Sequence, residues 1–224
     1  MKRILLPLLF GLLATSCLKE STLYVEDYSD FATVYEGKLV TDQAYQFTVV
    51  ENKTENNSWK VEGERYFIVC DILNRNLEIR LKEILDVDLE EALPYTEEEN
   101  EPDDPVEVMD QAISGGYINM SLAYYADPDS NAAHVFSLYY VEDKVTNHIT
   151  FHLLHEGDDE NPVYMETKYL EKRSKLISVP LWNLLERGKA YTLELCLYEL
   201  KKADDNTYSI EQNTYPLHRG TFVL

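Results

Sequence analysis

The chain has 224 residues, 45% of them hydrophobic, and a formal net charge of −21 with an isoelectric point near 4.5. That apolar share supports a buried core and excludes wholesale disorder. The acidity sets aside nucleic acid and anionic lipid head groups as partners, because binding them requires clustered cations that release counterions. In chain order, Lys2 and Arg3 come first and an apolar run from Ile4 to Leu13 follows, interrupted by Pro7 and Gly11. The small residues Ala14, Thr15 and Ser16 then lead to Cys17. This is the three-part layout of a secretory signal, and its apolar run is about half of the roughly 20 residues that a membrane-spanning helix needs.

Cys17 stands where a bacterial lipoprotein signal, which this segment resembles, places the cysteine that becomes the lipid-carrying first residue of the mature protein. The segment departs from that pattern in having Ala14 where leucine is usual, Leu13 lying one position further back. Ala14 and Ser16 also suit an ordinary cleavage site, so plain secretion is the alternative. With acyl chains on Cys17, each buried methylene contributes about 0.8 kcal/mol and the anchor is effectively permanent. The expectation is a cell-envelope, outer-membrane lipoprotein on the periplasmic or the surface face, attached to the membrane through Cys17. Cleavage after residue 16 removes Lys2 and Arg3 and no acid, leaving 18 bases against 41 acids, a net of −23. Of the remaining cysteines, Cys70 and Cys196 lie in apolar strand-like runs far apart, which reads as two buried free thiols.

Residues 17–27 are polar and lack a period, as in a tether. From Phe31 the texture is β: Phe31 to Tyr35, Tyr45 to Val50, Trp59 to Val61, Tyr66 to Leu73 and Leu77 to Leu85, each bounded by Gly, Asn or Asp. Leu77, Ile79 and Leu81 alternate with Glu78, Arg80 and Lys82, as in a strand with one face buried. Asp86 to Glu107 is acidic and carries Pro94, Pro102 and Pro105, which reads as an exposed linker and domain boundary, with a short helix over Asp88 to Leu93.

Beyond it come nine further candidate strands. They are Val106 to Ile113, Tyr117 to Tyr125, His134 to Val141, His148 to His155, Val163 to Leu170, Lys175 to Val179, Ala190 to Leu200, Tyr208 to Tyr215 and Thr221 to Leu224. Regular spacing with turn residues between them predicts an antiparallel sandwich. Ile118, Met120, Leu122 and Tyr124 are expected on one face, and Leu193, Leu195 and Leu197 on another. Ser114, Gly115 and Gly116 mark a tight turn, and Leu181 to Glu186 after Pro180 a single helical turn.

Several of these residues carry a resemblance: Asp27 and Tyr28; Ala32, Thr33 and Val34; Gly63 and Arg65; Ile84 and Leu85; Asp104, Pro105 and Val106; and, most specifically, Ser114 to Asn119. The mature chain resembles the NigD-like family of secreted bacterial lipoproteins along nearly its whole length. It departs from the family pattern at Ala112 and at Leu154, His155 and Glu156. The resemblance implies an all-β protein in which an N-terminal five-stranded OB-type barrel (28–103, acidic linker at its end) precedes a C-terminal antiparallel β-sandwich (104–224). It also implies a link to bacteriocin immunity or handling, and it brings no catalytic residues.

The residues themselves point the same way. Residues 28–103 hold 7 bases and 19 acids, which sets nucleic acid aside for the barrel, and Tyr35, Tyr45, Phe47, Trp59 and Tyr66 read first as strand formers. His148 and His152 are i, i+4 on a strand, about 13 Å apart and beyond shared metal coordination, with His155 at the strand end. Asp127, Asp129 and Asn131 echo a calcium loop, but Ala132 replaces its glycine and Leu138 its final glutamate, so a turn is expected there and at Asp158 to Asn161. Neither a nucleophile elbow nor a zinc-protease helix motif is present in the sequence. The tyrosine pairs Tyr124, Tyr125 and Tyr139, Tyr140 put one ring on each side of a sheet. Together these readings lead to a non-enzymatic envelope lipoprotein, without cofactor or metal, that binds a protein partner. A glycan-binding role with exposed Tyr and Trp as the platform is the alternative.

Overall fold

The computed structural model describes residues 24–55, 59–96, 104–128, 133–157, 170–202 and 208–222. Five strands, β1 (Val25–Tyr35), β2 (Lys38–Thr41), β3 (Gln46–Asn52), β4 (Arg65–Ile72) and β5 (Glu78–Asp86), close into a barrel in the order β1-β2-β3-β5-β4. The β3–β5 pair is parallel and the others antiparallel, the expected OB-type arrangement. Alternation fills the interior: Ala32, Val34, Leu39, Phe47, Ile68, Cys70, Ile79 and Leu81 are buried, and Trp59 joins them from the β3–β4 connection.

The second module is a sandwich of two sheets. One holds four strands in the order β6 (Asp88–Leu89), β12 (Glu171–Pro180), β9 (Tyr117–Ala126), β8 (Val106–Ser114). The other holds five, β14 (Tyr208–Thr221), β13 (Ala190–Lys202), β11 (His148–Glu156), β10 (Val135–Asp143), β7 (Ala92–Pro94). Ile118, Met120, Leu122, Ile177 and Val179 from one sheet meet Phe136, Leu138, Phe151, Leu193, Leu195 and Leu197 from the other. The predicted faces of β9 and β13 are those buried.

The structure corrects several expectations. Residues 88–94 form neither an exposed linker nor a helix. β6 pairs in parallel with Ile177 and Ser178, and β7 with Leu138 to Tyr140, so this segment supplies an edge strand to each sheet. Main-chain pairing on one side of each strand, with Glu90 N–H donating to the Ser178 carbonyl and Tyr95 N–H to the Tyr140 carbonyl at 3.0 Å each, holds the segment on the sandwich despite its charge. The acidic residues at 97–103 lie outside the described residues. β1 starts at Val25, inside the stretch read as tether, and Val25 already pairs with Ile72. Trp59 to Val61 is not a strand, and the missing barrel strand is the short β2, too brief to announce itself by periodicity. The sandwich is not wholly antiparallel, since β11 and β13 also pair in parallel. The return between them runs through β12 in the opposite sheet, the crossover that a parallel pair requires. The helical turn after Pro180 is present, with the Leu185 N–H donating to the Leu181 carbonyl at 2.9 Å. The predicted strand Val163 to Leu170 lies almost wholly outside the described residues.

Candidate functional site

The densest polar constellation lies where the barrel meets the outer face of the four-stranded sheet, and Arg65 is its centre. Arg65 is the first residue of β4, and its side chain is 1% exposed; that of Asp42, in the turn after β2, is 3% exposed. Both Asp42 oxygens accept from Arg65 Nη2, at 2.8 and 2.7 Å. Across the junction Nη2 also reaches Asn119 Oδ1 on β9 (2.9 Å) and Nε reaches Ser178 Oγ on β12 (2.8 Å), while Nη1 reaches Thr33 on β1 (3.1 Å). Tyr117 lies flat against the guanidinium, 3.7 Å from its carbon to the ring centre. Asp42 Oδ2 also accepts from Ser114 Oγ at 2.7 Å and Asn119 Nδ2 at 2.9 Å, while Ser178 Oγ donates to Asn119 Oδ1 at 2.6 Å. A buried ion pair is tolerable only when its remaining donors and lone pairs are met, and four neutral side chains meet them here.

The β8–β9 turn is shaped to admit Asp42. Gly115 has φ +57°, a left-handed conformation, and a Cβ there would lie 2.4 Å from Asp42 Oδ1. The Gly116 carbonyl accepts from the Leu181 N–H at 2.8 Å, binding the turn to the end of β12. Thr33, Arg65, Ser114, Gly115, Tyr117 and Asn119, which carry the sequence resemblance, thus converge on one point. Asp42 and Ser178 complete it and were missed: each reads in sequence as a solvated turn or strand-face residue. Three polar strand-face positions (Thr33, Asn119, Ser178) beside an arginine opening an apolar strand were the available signal.

A cavity of about 370 Å³ opens elsewhere on the sandwich, between β8 and β9 on one side and the β13–β14 hairpin on the other. Glu107, Tyr125, Glu199 and Tyr215 supply its polar lining, with Val108 and Leu200 among its apolar walls. Tyr215 donates to Glu199 Oε1 at 2.5 Å, and Asn213 Nδ2 to Oε2 at 2.5 Å. The Tyr215 phenol is pushed up to about 12, first by that bond to Glu199, then by burial and by the charge of Glu107. Glu107 itself pairs with Lys172 at 2.5 Å.

The three histidines singled out in the sequence, His148, His152 and His155, do not converge. His148 Nε2 lies 3.0 Å from Glu194 on β13, and His152 stacks on Tyr95 with ring centres 5.2 Å apart. His155 points to the opposite side, buried between Phe136 and His134, its Nε2 3.0 Å from His134 Nδ1. Asp129, Asn131 and Ala132 and the turn Asp158 to Asn161 lie outside the described residues, as does Cys17. Each tyrosine pair splits across its sheet: Tyr124 and Tyr140 pack on the core, while Tyr125 lines the cavity and Tyr139 meets Tyr95 edge-on. In the barrel, Phe47, Trp59 and Tyr66 are core residues, and only Tyr35 and Tyr45 are exposed. Cys70 and Cys196 are both buried free thiols, and burial pushes the Cys70 thiol up to about 12.

Comparison with known proteins adds the following. The family model of the NigD-like C-terminal β-sandwich domain matches residues 89–212. A NigD-like immunity protein from Bacteroides caccae aligns over 88% of this chain and 97% of its own, with 18% identity and a TM-score of 0.59. A Parabacteroides distasonis protein named as toxin-related aligns over 85% and 93%, with 17% identity and a TM-score of 0.59. A Bacteroides fragilis protein named as a lipoprotein aligns over 86% and 97%, with 11% identity and a TM-score of 0.58. At these identities the structural likeness speaks for the fold alone. No curated protein matches the sequence.

Proposed function

This chain belongs to the NigD-like family, its sandwich matching the family domain over residues 89–212, and from that membership we propose a non-enzymatic, protein-binding role in the bacterial cell envelope, tied to bacteriocin immunity or handling. The family match is the observation that carries the reading. The immunity protein of the same fold and the toxin-related neighbour support it. The lipoprotein neighbour supports an envelope location, and the signal layout alone points to Cys17 as the lipid-bearing residue. Physically, immunity by sequestration needs a surface that is already in its binding shape, since ordering it on contact subtracts from affinity. The buried Arg65–Asp42 junction holds the barrel and the sandwich in one arrangement.

The glycan reading gains no comparable support. A sugar platform needs adjacent exposed rings. Among the described residues, Tyr24 and Tyr35 flank opposite ends of β1, Tyr45 packs beside Tyr28, and Trp182 sits edge-on against Tyr117 in the other module.

The test is a pull-down from intact cells with the tethered full chain as bait, run beside a protease-shaved control, and a bacteriocin challenge of a deletion strain. Retention of a defined secreted toxin or a component of its export, with increased sensitivity on deletion, is expected. Retention of only polysaccharide, with unchanged sensitivity, refutes the proposal.

A further inference from the structure

The cavity beside the β13–β14 hairpin has a chemistry that the junction does not use. β13 pairs with β11 only from Thr192 to Cys196, whereas its pairing with β14 continues to Lys202. The distal half of the hairpin therefore overhangs the sheet. Along β13, Leu193, Leu195 and Leu197 face the core, and the next position on that face is Glu199. Where the opposing sheet ends at β8, a carboxylate replaces leucine, and the cavity lies there.

Glu199 lines the cavity, and Lys201, two residues further along β13, is held by Glu211 at 2.6 Å. Each Glu199 oxygen accepts one bond from a neutral donor, Tyr215 or Asn213, and a carboxylate offers about four acceptor sites. The half-buried Glu199 thus has spare lone pairs at the cavity. Glu107 at the rim is already paired with Lys172. Tyr125 and Tyr215 add aromatic lining, and Val108 and Leu200 give apolar wall for an aliphatic stem. A volume of about 370 Å³ is at the small end of ligand sites, the scale of one side chain.

We propose that this cavity binds an organic cation carried on an aliphatic stem, a guanidinium or primary ammonium, presented as an arginine or lysine side chain by a polypeptide partner. The proposal deepens the protein-binding reading and rests on it. The acidity of the chain, −21 overall, steers such a partner toward the surface before the pocket engages it.

The test is calorimetric titration of the full chain with N-acetyl-arginine amide, with N-acetyl-lysine amide, with N-acetyl-citrulline amide, which keeps the shape of the arginine amide and loses the charge, and with 1,5-diaminopentane as a free amine. Saturable binding of the arginine amide, about tenfold or more tighter than the citrulline amide, is expected. E199Q is expected to remove that difference. E194Q, a carboxylate of the same strand that pairs with His148 away from the cavity, is expected to keep it. Tyr125→Ala, which removes a wall and no charge, is expected to weaken binding severalfold and serves if E199Q does not fold. Equal affinity for the arginine and citrulline amides, or equal losses in E199Q and E194Q, overturns the proposal. Tighter binding of diaminopentane than of both the arginine amide and N-acetyl-lysine amide overturns the polypeptide source. A null titration with a toxin still retained from cells removes this pocket alone. Specific titration with nothing retained removes the immunity reading instead.

Discussion

Arg65 and Ser178, 113 residues apart and in different modules, are joined twice. Their side chains meet directly, Nε to Oγ at 2.8 Å. The connecting chain also ties their carbonyls together, with Val87 N–H donating to the Arg65 carbonyl at 3.2 Å and Glu90 N–H to the Ser178 carbonyl at 3.0 Å. A side-chain bond alone would leave the modules free to pivot about one contact, and a main-chain connection alone would leave a hinge. Together they fix the orientation.

Removing one member of the buried pair leaves the other charge uncompensated. Arg65→Met is expected to cost about 3–5 kcal/mol, and Asp42→Leu a similar amount. The double variant is expected to lose less than the sum of the two. Urea unfolding followed by fluorescence of Trp59 in the barrel and Trp182 in the sandwich is the measurement. A change under about 1 kcal/mol in R65M contradicts the role of the junction.

Gly115 and Gly37 both have positive φ, +57° and +72°. Only Gly115 faces an obstacle, the Asp42 side chain, which Arg65, Ser114 and Asn119 hold in place. Gly37→Ala is expected to cost about 1 kcal/mol for the backbone conformation alone. Gly115→Ala is expected to cost distinctly more, and equal thermal shifts for the two would contradict the tight fit.

Cys70 lies in the barrel core and Cys196 in the sandwich, both buried. Neither thiol is expected to react with a thiol reagent at pH 8 in the native protein, and both in urea. Rapid labelling of Cys70 without denaturant would show that its high pKa and burial are wrong, because the thiolate is the reacting form.

Two groups set opposite ends of the pH profile. Lys82 Nζ lies 2.6 Å from Asp71 and holds its carboxyl below the ordinary range. A depressed folded-state value stabilises above the unfolded value of about 3.9, and that contribution is lost as pH falls through the folded one. Tyr215 runs the other way. Its value of about 12 means stability that is present below the unfolded value of about 10 and lost between the two as pH rises. Asp71→Asn is expected to flatten the acid limb of a stability profile below about pH 4, and Tyr215→Phe the alkaline limb. Unchanged limbs would contradict both assignments.

Cys17→Ser is expected to abolish incorporation of labelled fatty acid and to move the protein from the membrane to the soluble fraction of the envelope. Mass spectrometry of the wild type is expected to show an acylated mature chain starting at Cys17; an unmodified chain that retains Met1 would refute the anchor.

Local pattern was enough to read the all-β class, a division into two β blocks, and the buried faces of β5, β9 and β13, because period-two alternation reports directly which side of a strand loses water. It also carried the family resemblance, through Arg65 and Ser114 to Asn119, and the barrel came only with that resemblance. Tertiary structure alone decided what those residues do. Asn119 and Ser178 alternate with apolar neighbours and so read as wet faces, and they are dry only because the barrel docks on that side of the sheet. Residues 88–94 read as linker because their partners, β12 and β10, lie 45 or more positions away. Burial of a second sheet face and pairing over that separation are properties of the assembled layers, and no window of adjacent residues contains them.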